Sequence, residues 1–185
     1  MGLLLFSPPP IYAQESPAFE KIRDVSPDGK FALRISCSGE PDDPDDIDSN
    51  LITAVDVISL PSKKVVVNIG KEGTPPRLIW SPDSKWFAFP FSEGHRITYT
   101  SVYHLSGEEF TPLETESLRV DAEGDVRNEY VNPLRWVKPG VLLLEQFDIF
   151  RGGNGDDATY QFTAKFDEKT SKFQISSSKK VPSKE

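Results

Sequence analysis

The 185-residue chain has one cysteine, Cys37, one methionine, and two histidines, His95 and His104. A single cysteine excludes a disulfide framework and a cysteine-rich zinc module. Two histidines nine residues apart match no standard metal-ligand spacing. Basic residues are in the minority. Against 29 Asp and Glu stand 21 Lys and Arg, giving a formal net charge of −8. That balance argues against a dedicated nucleic-acid binder, which needs a basic surface. Long apolar runs are also missing. No stretch reaches the ~20 apolar residues of a membrane-spanning helix, so no integral membrane segment is expected. What is present is aromatic: 12 Phe, 5 Tyr and 3 Trp, within 37% hydrophobic residues. This is enough to bury a core in one domain and argues against global disorder.

The two ends differ from the middle. Leu3-Leu4-Leu5-Phe6 is a short apolar run, followed by Pro8-Pro9-Pro10 and by Ala13, a small residue suited to a signal-peptidase cut. No Lys or Arg precedes Leu3, which fits a start placed downstream of a basic region. Residues 1–18 therefore read as a signal-peptide remnant or a disordered tail, and the expected location is periplasmic or secreted. Residues 179–185 are Lys/Ser-rich and read as a disordered tail. The single β domain is expected over 19–178.

Within that domain the sequence repeats. Val25-Ser26-Pro27-Asp28-Gly29-Lys30-Phe31 is echoed by Trp80-Ser81-Pro82-Asp83-Ser84-Lys85-Trp86, with 55 residues from Ser26 to Ser81. A degenerate copy, Trp136-Val137-Lys138-Pro139-Gly140-Val141, follows 56 residues after Trp80. Near-constant spacing implies stacked structural units, here about 19–75, 76–132 and 133–178. Each unit reads as four strands with a Pro-Asp-Gly-type turn after the first. Pro presets φ, Asp bonds the following backbone, and Gly accepts positive φ. Tyr160, Phe162, Ala164 and Phe166 alternate with Thr159, Gln161, Thr163 and Lys165, the period of a strand with one buried and one wet face. Phe31, Leu33 and Ile35 alternate with Ala32, Arg34 and Ser36 in the same way. Lys85–Phe91 and Val141–Leu144 are apolar on both faces, as in strands covered on both sides.

The Trp80–Lys85 stretch and the apolar strand after it resemble the TolB-type, WD-repeat-like β-propeller repeat. The turn at Ser26–Lys30 matches it with Val25 in place of the Trp. The copy at Trp136 keeps Trp, Pro and Gly and loses the Asp. The resemblance implies a mostly β fold of three consecutive four-stranded antiparallel blade-like units. Closed propellers use four to eight blades. Three units imply an open stack, a sandwich, or two chains completing a six-bladed ring. The oligomeric state is left open. One segment breaks the pattern: Leu118, Ala122, Val126 and Tyr130 recur every four residues, which reads as a short amphipathic helix near 118–130, ended at Asn132-Pro133.

Candidate chemistry is sparse. Glu40-Pro41-Asp42-Asp43-Pro44-Asp45-Asp46-Ile47-Asp48 carries six carboxylates in nine residues. Hard cations favour such oxygens, but the spacing departs from an EF-hand loop and two prolines restrict wrapping. It reads as a solvated acidic loop, with calcium binding the alternative. Gly152-Gly153-Asn154-Gly155-Asp156-Asp157 reads as an inter-strand turn, since a strand rather than a helix follows it. Neither histidine sits in a nucleophile motif, and no Gly-x-Ser-x-Gly elbow exists. Cys37, beside the acidic loop, is expected to have a raised thiol pKa. Trp80, Trp86 and Trp136 are expected in the core. No catalytic residue, metal site or cofactor is expected. The function expected is a non-catalytic binding or scaffold module of the cell envelope or secreted space, with protein as partner. Alternatives are an enzyme of hydrolase type, or an accessory domain of one, and a truncated propeller without independent function.

Overall fold

The structure is a computed structural model that describes residues 18–70, 77–152 and 157–182. It is mostly β, with a single three-residue 3-10 turn at Ser49–Leu51 among the described residues. Twelve strands follow in chain order: β1 (Phe19–Arg23), β2 (Phe31–Cys37), β3 (Ile52–Ser59), β4 (Val65–Gly70), β5 (Ile79–Trp80), β6 (Trp86–Glu93), β7 (Ile97–Ser106), β8 (Glu109–Pro112), β9 (Val126–Lys138), β10 (Val141–Phe150), β11 (Ala158–Asp167) and β12 (Lys172–Val181). β1–β4 form one four-stranded antiparallel sheet in sequence order. β5–β8 and β9–β12 are each paired antiparallel in sequence order as well. A short parallel contact, Ile97↔Glu129 and Thr98↔Tyr130, joins β7 to β9 and makes one eight-stranded sheet. Neither sheet closes into a barrel.

The sequence repeat is also a hydrogen-bond repeat. Ser26 Oγ donates to Asp28 Oδ1, which accepts from the Lys30 N–H, while the Phe31 N–H donates to Ser26 Oγ. Ser81, Asp83, Lys85 and Trp86 make the same three bonds. Gly29 and Ser84 occupy the same turn position at φ 72° and 59°. At the third copy the Asp is gone, and Pro139-Gly140 forms a two-residue link between β9 and β10, with Gly140 at φ 69°. A further backbone bond recurs at all three: Leu60 N–H to Lys30, Leu105 N–H to Lys85 and Phe166 N–H to Gly140.

The repeats are latched to one another. Trp80 Nε1 donates to the Asp24 carbonyl, 56 positions earlier, at 2.6 Å. Trp136 Nε1 donates to the Ile79 carbonyl, 57 positions earlier, at 2.9 Å. Two apolar cores lie on either side of β6. Phe87 and Phe89 join Leu33, Ile35, Val55, Val57 and Phe110 in the first. Trp86 and Ala88 join Val102, Trp136, Leu142, Phe162 and Phe173 in the second. β6 is therefore apolar on both faces because both are covered, as its sequence implies. The ring contacts repeat too. Phe31 meets Trp80 and Phe110; Trp86, in the equivalent place, meets Trp136 and Phe173. Trp86 and Trp136 are buried, whereas Trp80 is half-buried against the first core.

Three expectations are corrected. The helix near 118–130 is absent. Val126 to Tyr130 belong to β9, where Val126 pairs with Phe150 and Tyr130 with Phe147. Gly124 stands at φ 134°, outside helical space, and a Cβ there would lie 2.9 Å from the Phe150 ring. Cross-strand pairing along β10 outweighs a marginal helix of three turns. The tail from 179 is also ordered further than expected: Lys179, Lys180 and Val181 pair with Gln161, Tyr160 and Thr159. Finally, the second face of β2 is not wet, since Ala32 and Ser36 are buried. Arg34 lies over that face, bonded to Asp56 at 2.7 Å and close to Glu20 at 3.5 Å. Lys63 and Asn68 complete the network on Glu20 and Asp56.

Candidate functional site

Most residues singled out in the sequence serve the frame. The acidic loop folds over the first core, into which Ile47 is buried. Asp43 and Asp48 accept backbone N–H groups of Asp45 and Asn50, closing local turns. Lys21 reaches Asp45 Oδ1 at 2.6 Å and the Pro44 carbonyl. The loop is thus pinned by a base that the local sequence does not contain. No group of three or more His, Cys, Asp or Glu suited to a metal ion occurs among the described residues. Residues 153–156 of the Gly-rich loop lie outside the described residues. Cys37 is fully buried, and burial pushes its thiol up. The direction matches the sequence argument, but the cause is apolar packing.

His95 and His104 stand near opposite ends of β7. At about 3.3 Å per strand residue, the seven steps from Ile97 to His104 alone span about 23 Å, and the two histidines share no site. His95 is exposed, and its carbonyl accepts from the Tyr130 hydroxyl. His104 is half-buried opposite Trp86, with ring centroids 3.9 Å apart. Burial depresses its pKa, against the opposing charges of Asp83 and Glu168, so the imidazole is neutral at pH 7.

Trp86 and His104 line a cleft of about 490 Å³ where the β5–β6 turn meets the Pro139-Gly140 link. Lys85, Lys138 and Lys165 also line it, as do Phe166, Asp83 and Glu168. Strand register explains the convergence. Val141 pairs with both Lys138 and Lys165, and Trp86 pairs with His104. None of the three lysines forms an ion pair among the described residues. In the first repeat, by contrast, Lys30 lies 3.4 Å from Asp28. A second cleft of about 490 Å³, along the β11–β12 hairpin, adjoins at Lys165, Phe166 and Glu168 and adds Lys169 and Gln174. Free ammonium groups above an aromatic floor can hold an anion beside apolar surface.

The chain matches no protein-family model and no curated protein. The site is therefore read from its geometry alone.

A separate polar cluster is structural. Asp148 is fully buried on β10, opposite Glu129 on β9. Gln146 Nε2 donates to Asp148 Oδ2 at 2.8 Å and to the Val120 carbonyl at 2.8 Å, while its Oε1 accepts the Val120 N–H at 2.7 Å. Arg119 lies 3.7 Å from Glu129. The cluster clamps the β8–β9 connection over the second core, where Leu118 is buried.

The sequence reading missed the lysine cleft. Its only signal was in the repeat register, which places Lys85 and Lys138 on successive turns. Lys165 joins them through β10–β11 pairing, which no local pattern announces.

Proposed function

We propose that the chain is a non-catalytic binding module, built as an open stack of three blade-like units of the TolB-type class, working in the cell envelope or secreted space. The observation that carries this reading is the repeated latch, Trp80 to Asp24 and Trp136 to Ile79, which spaces three similar four-strand units along one frame. Repeat stacks of this kind offer their inter-unit turns and edges as contact surface. The clefts at the Pro139-Gly140 link and along β11–β12 provide such a surface. The envelope or secreted location rests on the apolar and Ala13-containing stretch before residue 18. The outer face of the first unit is polar: Arg34, Asp56, Glu20, Lys63 and Asn68 cover it. Terminal repeats with polar outer faces suit a stack that stops.

The test is capture of partners by the immobilised chain from envelope and extracellular fractions, followed by calorimetric titration of each captured protein. Saturable binding with defined stoichiometry supports the module. Captured proteins that give no saturable heat, or no specific capture, would overturn it.

A further inference from the structure

The β8–β9 connection, residues 113–125, contains no helix or strand, yet it is tied down along its length. The Leu113 N–H donates to the Val102 carbonyl at 3.0 Å, and Ser117 Oγ donates to the Phe173 carbonyl at 2.9 Å. The Gln146 amide holds both the N–H and the carbonyl of Val120, and Leu118 is buried in the second core. At the far end the Arg151 N–H donates to the Asp125 carbonyl at 2.8 Å. Charge works against these ties. The connection carries five acids, Glu114, Glu116, Asp121, Glu123 and Asp125, and one base, Arg119. The Gln146 clamp rests on Asp148, which is fully buried and accepts from Gln146 through Oδ2. Its Oδ1, also buried, has no hydrogen-bond partner among the described residues.

We infer that this connection is a pH-sensitive strap, closed over the second core in acid and loosened as the pH rises toward neutrality. Protonated, Asp148 is neutral and can stay buried. Ionised, it is a buried anion opposite Glu129 on β9 and under a strap of the same sign. Arg119 favours the ionised form, but it is more than half exposed and lies 3.7 Å from Glu129, so one arginine serves two carboxyls. Asp121 of the strap opposes a charge on Glu129, as Asp148 does. β11 meets Asp148 with Ala158 and brings Tyr160 opposite Gln146, with Lys180 of β12 paired to Tyr160. β7 meets β9 at Ile97 and Thr98, after Arg96, whose carbonyl accepts the Glu129 N–H. Burial holds the carboxyls of Asp148 and Glu129 above their ordinary range. Opening the strap lets water reach Asp148 and returns it toward its ordinary value. Between the two values the open state therefore binds fewer protons than the closed one. Opening is hardest below the ordinary value and becomes easier as pH rises through the raised one. What it uncovers is the apolar surface under Leu118, so the strap governs access to the second core.

The test is hydrogen exchange of single backbone amides by NMR near pH 4 and near pH 7, each with and without about 1 M urea, with rates corrected for the intrinsic effect of pH. Val120 reports the strap, and Val57, fully buried on β3, reports the frame. The expected result is a Val120 amide that exchanges faster than Val57 and is insensitive to urea, as a local opening is. Its opening equilibrium is expected to be about tenfold more favourable near pH 7 than near pH 4, the factor set by one unit of pKa. Asp148→Asn is expected to remove most of that response. Equal corrected exchange of Val120 at both pH values overturns the proposal. So does a urea response equal to that of Val57, which would show that Val120 exchanges only when the whole domain unfolds. A full pH response in Asp148→Asn overturns it as well. The first two outcomes are read on the wild type and so stand even if the variant fails to fold.

Discussion

Trp136 fills the second core with its ring and ties that core to the Ile79 carbonyl through its indole N–H. The two contributions are separable. Trp136→Phe keeps most of the apolar contact but leaves the carbonyl unpaired, for an expected loss of about 1–3 kcal/mol. Trp136→Ala removes the ring as well and is expected to cost about 3–5 kcal/mol. Urea unfolding read by circular dichroism measures both, and a Trp136→Phe variant as stable as the wild type would show that the latch contributes nothing. Asp148 offers a residue-level test in pH. Burial, only partly offset by the Gln146 bond and by Arg119, holds its carboxyl above the ordinary carboxylate range. Unfolded, an Asp titrates near about 3.9. Between that value and the higher folded one, the folded state binds more protons than the unfolded state. The contribution of Asp148 is therefore fully present below the unfolded value and lost as pH rises through the folded one. Unfolding measured from pH 3 upward is expected to show this decline in the wild type and a smaller one in Asp148→Asn. Parallel curves would show that Asp148 carries no buried charge penalty.

At the scale of elements, β9 separates a sequence pattern from its outcome. Leu118, Ala122, Val126 and Tyr130 have helical spacing, yet the chain turns at Gly124 and then runs as a strand. The substitution Gly124→Ala distinguishes the two in sign. In a helix interior it would stabilise by about 1 kcal/mol. At φ 134°, with Phe150 within 2.9 Å, it is expected to destabilise by more than that in thermal or urea unfolding. The strands and turns of the repeats were legible because their cause is local: Ser-Pro-Asp closes the same three hydrogen bonds wherever it stands. The first part of β9 was not, although Leu134–Val137 at its end was read as a strand, because its partner, β10, lies beyond it in the chain. The second face of β2 was misread for a related reason. Alternation places Arg34 outward, but only the fold brings Asp56 and Glu20 to it and carpets the face. Trp86 and Trp136 were placed correctly by repeat register, whereas Trp80 is half-buried and Cys37, read from the acidic loop beside it, is buried by apolar packing. The lysine cleft was not seen, since lysines are read as solvated one at a time and gain meaning only where strands converge.

At the scale of the whole molecule, the polar outer face of the first sheet bears on how copies meet. A face carrying Arg34, Glu20, Lys63 and Asp56 must shed its water to pack against another sheet, and such burial of charge is unfavourable unless every group is matched. Light scattering during gel filtration is expected to show a 20.7 kDa species across the accessible concentration range. A stable species of twice that mass would instead overturn this expectation and is what two chains completing a six-unit ring would give.

The latches also have an order in time. Each tryptophan reaches back to a carbonyl about one repeat earlier: Trp80 to Asp24, then Trp136 to Ile79. On a ribosome, the first repeat therefore emerges with its carbonyl unclaimed and waits for residues 56 positions behind it. At about 5–20 residues per second that wait lasts roughly 3–11 s. Repeat by repeat, the growing chain exposes one unfinished apolar face to its surroundings. Phe173, the last of the buried residues of the second core along the chain, completes it.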